Sequence, residues 1–247
     1  MSRALRRGFA AAYDHLGYVV LVSFLGFAAT VAVLAGGMRL AMVSKNELLR
    51  FVLCIPAALT AWLAAVGAFY YAKKSVYHEY PSPGETLAGI RILLLPALAL
   101  FAVNLVAAVV LIGDAVAYLL VWRVSAVYKI LSIVCAYLAV FWILAAVYQL
   151  PLLAAQLDMP SGPKPLVVLK KSFLLFGDNP GFTVALFVVI IALAVVCALP
   201  GFVGMALFFL GTSAFVVTHA VRELFIKYGI VEDEPEVVED KGWPPGD

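Results

Sequence analysis

The chain has 247 residues, of which 65% are hydrophobic and 13% charged, with a formal net charge of +2. Soluble domains are about half apolar and about a quarter charged, so a water-soluble globule is excluded: it could not hide this much apolar surface. The 17 Lys and Arg residues are spread through short loops rather than gathered in a basic block, which excludes nucleic acid as a partner.

The start of the chain carries Arg3, Arg6 and Arg7 ahead of an apolar run. That run, Leu16 to Met38, is longer than a secretory signal's apolar region of about 7 to 15 residues, so it predicts a first membrane span that stays in the protein. A hydrocarbon core of about 30 Å takes about 20 helical residues, and runs between charges of that length recur. Phe51 to Ala72 and Ile92 to Gly113 predict spans two and three.

The next apolar stretch, Ala115 to Leu157, is interrupted by Arg123 and Lys129. Each would cost roughly 2.5 to 3.5 kcal/mol at a helix centre, so the expectation is that Ala115 to Tyr128 lies along the interface and that 130–150 crosses alone. From Phe182 to Val221 no Asp, Glu, Lys or Arg occurs. Pro200-Gly201 divides that run, since proline removes a helical hydrogen bond and glycine permits a reversal, giving spans at 182–199 and 202–221.

The fold class expected is therefore all-α and integral to a membrane, with six transmembrane helices in one domain over residues 1–231. Residues 232–247 form an acidic, proline-bearing tail with too little apolar content to fold. Arg3, Arg6, Arg7, Lys73, Lys74, Arg91, Lys164, Lys170, Lys171, Arg222, Lys227 and Lys241 fall on one side of the spans. The other side receives Arg39, Lys45, Arg50, Arg123 and Lys129. Cations gather on the cytoplasmic side, so both termini are expected in the cytoplasm.

Shifting the sequence by 164 residues lays Leu5, Phe9, Asp14, Gly17 and Val20 on Leu169, Phe173, Asp178, Gly181 and Val184, with Arg6-Arg7 on Lys170-Lys171. A shift of 144 lays Pro56, Gly67 and Glu79 on Pro200, Gly211 and Glu223. Spans one and two are therefore expected to repeat as spans five and six, parallel to one another. Each repeat would open with an amphipathic interfacial helix, its cations Arg6, Arg7, Lys170 and Lys171 meeting lipid headgroups and Phe9 or Phe173 dipping into lipid. Asp14 and Asp178 would cap the spans that follow, where a helix N-terminus favours negative charge. Both are also candidates for binding.

Polar side chains inside a membrane are costly unless satisfied, which makes them candidates for function. Asn104 lies mid-way along span three and Gln149 near the inner end of span four, just before Pro151. Each is a binding candidate, or else one side of an interhelical hydrogen bond. His15, His78 and His219 lie near the same ends of their spans, but nothing in their spacing demands the convergence that a metal needs. Cys54, Cys135 and Cys197 stand apart from one another in apolar surroundings and read as packing residues. No catalytic, metal or cofactor motif is present in the sequence, so no cofactor and no enzymatic activity are expected.

The lead-in Leu169-Lys170-Lys171-Ser172-Phe173, the turn Gly177-Asp178-Asn179-Pro180-Gly181-Phe182 and the close Val221-Arg222-Glu223-Leu224-Phe225 resemble the YesL-like group of uncharacterised bacterial membrane proteins. The repeated basic pair, aromatic, acid and span is also similar to the membrane region found beside some glycerophosphodiester phosphodiesterases. The first resemblance implies a bacterial inner-membrane protein with an accessory role in carbohydrate uptake, and names no active residue. The chain departs from that group in its acidic tail and in the cationic segment near Arg123. The partners expected are the lipid bilayer and another protein in a membrane complex. The alternative is a small solute transporter or channel with its site between the repeated halves. A lipid-modifying enzyme working through the three histidines ranks below both.

Overall fold

The computed structural model describes residues 1–43, 52–76, 81–121, 125–158 and 162–231. Among these residues there is no strand, and six helices are long and apolar enough to cross a membrane. In chain order the helices are α1 (Ser2–Asp14), α2 (Leu16–Val43), α3 (Ile55–Val76), α4 (Glu85–Val121), α5 (Ala126–Ala146), α6 (Gln149–Ala155), α7 (Pro165–Asp178), α8 (Pro180–Ala198) and α9 (Leu210–Lys227). A 3-10 turn, Gln156–Asp158, follows α6, and a π-helical segment, Met205–Phe209, leads into α9. The architecture is that of an all-α, multi-pass membrane protein.

The outer surface supports this directly. Leu25, Leu95, Ile133, Tyr137 and Val196 are all exposed on the spans. A contiguous apolar exterior of that extent is unstable against water and at home against lipid.

Span six is the hub. Its most apolar stretch is 61% buried, against 11% for span three, and it packs on α1, α2, α3, α6 and α8. Two glycines let helices reach it. A Cβ on Gly8 would stand 2.8 Å from the Val216 Cα, and one on Gly211 would stand 2.7 Å from the Val19 Cα. Ala4, Gly8 and Ala12 are buried at four-residue spacing along α1, so the helix lays a smooth small-residue seam on α9, the usual means of close approach between helices in lipid. The Gly211 amide donates to the buried Ser23 hydroxyl of α2 at 2.9 Å, just beyond the π turn. The chain reverses between α8 and span six at Gly201 and Phe202, both in the left-handed region at φ 69 and 67.

Three of the sequence expectations need adjustment. The segment Ala115 to Tyr128 does not form a separate surface element: α4 runs unbroken through Asp114 to Val121, and α5 begins at Ala126 behind the Ser125 N-cap. Nothing in Asp114-Ala115-Val116-Ala117 breaks a helix, since the stretch holds neither Gly nor Pro. The 37 residues of α4 make about 55 Å at 1.5 Å per residue, well beyond the roughly 30 Å of hydrocarbon. Ser132 Oγ donating to the Ala115 carbonyl at 2.9 Å and the stacked Tyr118 and Tyr128 rings hold the surplus length of α4 and α5 together.

The fourth span also extends further than its uncharged run, from Ala126 to Asp158, but it is broken at Val147 and Tyr148. Pro151 has no N–H for the Val147 carbonyl, and the Tyr148 amide instead reaches back three residues to Ala145 at 3.2 Å. Finally, Phe173 is packed against Phe141 and Trp142 rather than dipping into lipid, whereas Phe9 is exposed.

Residues Arg123, His78 and Glu79 and the acidic tail 232–247 lie outside the described residues.

Candidate functional site

Inside the membrane zone two amide side chains and an indole meet at one place. Asn104 on α4 donates through Nδ2 to its own helix, the Leu100 carbonyl at 2.9 Å, and across to Gln149 Oε1 on α6 at 2.5 Å. Trp142 on α5 donates its indole N–H to Asn104 Oδ1 at 2.8 Å. The break at Val147 and Tyr148 turns Gln149 inward at the start of α6, where it is fully buried. Its Nε2 has no hydrogen-bond partner among the described residues. The two candidates picked from the sequence are thus brought together. Trp142 was missed, although a buried indole N–H that needs an acceptor is a usable signal.

A second polar layer lies at the end of the bundle that carries both ends of the described chain. Arg7 on α1 pairs with Glu223 on α9 at 3.3 Å. His15 bonds Ser75 on α3 at 2.7 Å and stacks on Phe215, with centroids 5.5 Å apart. Arg222 donates to the Val76 carbonyl at 3.3 Å, helping to cap α3. Lys74 meets Glu85 at 3.2 Å, tying α3 to α4. Between them His219 is buried, and neither ring nitrogen has a hydrogen-bond partner among the described residues. Among the described residues no group of three His, Cys, Asp or Glu side chains is arranged to hold a metal ion.

The same layer continues around α7. Lys227 donates to Asn179 Oδ1, Asn179 Nδ2 donates to the Tyr228 hydroxyl at 2.5 Å, and that hydroxyl donates to Asp178 Oδ2 at 3.4 Å. This chain ties the end of α9 to the junction of α7 and α8. Beside it a cavity of about 470 Å³ opens between α6, α7 and the residues after α9. Leu152, Leu174, Leu175, Phe225 and Ile230 wall it, while Asp158, Lys171, Asp178 and Tyr228 also line it. Asp158 is held at 2.5 Å by Lys73 of α3.

The remaining sequence candidates fall at this end too, in different settings. Arg6, Lys170 and Asp14 are exposed. Asp178 does not cap the following span: Asn179 takes the N-cap position without a side-chain bond to the helix, and Asp178 turns toward Tyr228. Pro180 opens α8 and removes one of the amides that a cap would serve. Asp14 ends α1, one residue ahead of α2. Asn179 was not singled out as a site residue, although it stands in the Asp-Asn-Pro-Gly stretch that breaks the helical pattern.

Two other cavities are walled mainly by apolar side chains, the smaller also by Thr60 and Thr86. One of about 740 Å³ lies against α4, α5 and Phe173 of α7. The other, about 390 Å³, lies against α2, α3 and the start of α4. Compared with protein-family models, curated proteins and solved structures, the sequence gives no match.

Proposed function

We propose that this protein is a non-enzymatic membrane scaffold or accessory subunit, seated in a bacterial inner membrane with both termini in the cytoplasm and serving a transport system or a larger membrane complex. One observation carries the reading: the polar groups within the span zone are turned on each other. Asn104, Gln149 and Trp142 bond among themselves, and so do Tyr148 and Thr183 at 2.7 Å. The cavity of about 740 Å³ is left with aliphatic and aromatic walls, and that of about 390 Å³ is mostly aliphatic, its Thr60 and Thr86 hydroxyls being bonded to the Pro56 carbonyl and the Tyr18 hydroxyl. A hydrophilic solute sheds its hydration shell in transit and needs polar groups to replace it, whereas apolar surfaces of this kind suit lipid chains or a partner's helix. The resemblance to the YesL-like group and the excess of cations on the side of the termini support the same reading.

Purification in a mild detergent should bring down a partner in fixed proportion. Recovery of a monodisperse lone protein that a soluble substrate stabilises would overturn the proposal.

One observation favours the alternative, a small solute carrier with its site between repeated halves: the buried Gln149 Nε2 lacks a partner among the described residues. The lead-ins also correspond in register, since α1 ends at Asp14 and α7 at Asp178, each one residue before the next helix. Against this, α1 and α2 both pack on span six, while neither α7 nor α8 is a principal neighbour of span two. In proteoliposomes the carrier reading requires that Asn104→Ala and Gln149→Ala change solute flux.

A further inference from the structure

We infer that the cavity between α6, α7 and the end of α9 is a binding site for a zwitterionic aminophospholipid, with an acyl chain inside and the ethanolamine phosphate at the mouth. This rests on the chain's embedding in a bilayer and not on the scaffold role, so failure to find a protein partner would leave it standing.

Depth is the first argument. α7 shows lipid-compatible and cationic residues side by side on its exposed surface: Leu166 and Leu174 are exposed, and so is Lys170. A helix of that composition rests at the boundary between headgroups and acyl chains. The cavity beside it therefore opens at the level where a phospholipid changes from chain to head.

Charge is the second. The chain end would meet the Leu152, Leu175 and Phe225 walls, but an acyl chain gains little by leaving one apolar medium for another. Selectivity has to come from the head. Lys171 and Asp178 line the cavity two turns apart on α7, with Asp158 from the 3-10 turn facing them and already held by Lys73. Apart from Asp158, which Lys73 holds, the charged residues described in the lining are one of each sign, Lys171 and Asp178, as in a zwitterionic head. Among the described residues Asp178 receives only the long, 3.4 Å contact from Tyr228, so its oxygens retain capacity to accept. A primary ammonium offers three N–H donors to such a carboxylate, and a lysine is a good partner for a phosphodiester. A choline head carries its positive charge without any N–H, and a glycerol head has no positive charge.

Native mass spectrometry of the full chain in mild detergent, titrated with dioleoyl phosphatidylethanolamine, phosphatidylcholine or phosphatidylglycerol, tests this. One phosphatidylethanolamine should be retained per chain, with affinity about tenfold above the other two, the scale of one charge-assisted hydrogen bond. Asp178→Asn should abolish that preference, and Lys171→Gln should weaken all three lipids. Leu174→Trp, which narrows the cavity from its exposed lip, should reduce adducts whatever the head. Arg91→Gln, on α4 and outside the cavity lining, should change nothing. Equal retention of the three lipids by the wild type, or an intact preference in Asp178→Asn, would overturn the assignment. So would competition by soluble phosphoethanolamine as effective as the lipid itself, which would assign the mouth to a water-soluble ligand.

Discussion

Asn104 is the one strongly polar side chain in its uncharged run, and its three hydrogen bonds consume both amide hydrogens and the carbonyl oxygen. Removing it strands the Trp142 indole N–H and Gln149 Oε1. In lipid no water replaces the partner, yet measured bonds of this type average below 1 kcal/mol because the unfolded chain also finds partners. Asn104→Ala should therefore lower stability by about 1 to 2 kcal/mol, read from thermal unfolding in detergent. The double variant with Gln149→Ala should cost less than the sum of the two single changes, since it removes the group that the first change stranded. Additive losses would show that the pair is not coupled. At Ser23 the argument concerns the backbone: Ser23→Ala leaves the Gly211 amide without its hydroxyl acceptor, and a loss of about 1 kcal/mol or more is expected in the same assay.

At the scale of elements, the seam between α1 and α9 holds by shape, and the ion pair beside it adds little. The Arg7–Glu223 pair has both side chains 20% exposed, and pairs near solvent contribute about 0 to 1 kcal/mol. The seam at Gly8 admits no side chain without moving the Val216 backbone. Gly8→Leu should release α1 from α9 and speed tryptic cleavage after Arg6 and Arg7 at least several-fold, whereas Glu223→Gln should change it little. Cleavage within a helix requires local opening, so the two rates report docking directly. Unchanged cleavage in Gly8→Leu would mean that α1 is anchored elsewhere. The α1–α2 and α7–α8 junctions were legible from the repeated Asp, because chain breaks are written in local sequence. Their packing was not, because α1 crosses to a helix more than two hundred residues away while α7 settles on α6 and α5.

For the whole molecule, six crossings place residues 170 and 230 on one side and the turn at residue 199 on the other. With the termini in the cytoplasm, as proposed above, Lys170→Cys and Ile230→Cys in a cysteine-free background should react with an impermeant maleimide only after the cells are opened. Leu199→Cys should react in intact cells with a permeable outer envelope. Labelling of all three from one side would refute the crossing count.

The six spans could be read from the sequence alone because the energetic rule behind them is local: about 20 consecutive residues without an ionised side chain are cheaper in hydrocarbon than in water. Their ends could not, since a charged residue stops the uncharged run without stopping the helix, as Asp114 does within α4. Asn104 and Gln149 could be named as costly groups in advance, but their pairing lies 45 positions apart in the chain and depends on how α4 and α6 cross. The cavity beside α7 is likewise a product of packing: its walls come from three segments, and no one of them carries a signature of it. Which stretches enter the bilayer is a property of composition along the chain; what meets what within it depends on helix contacts that only the assembled bundle creates.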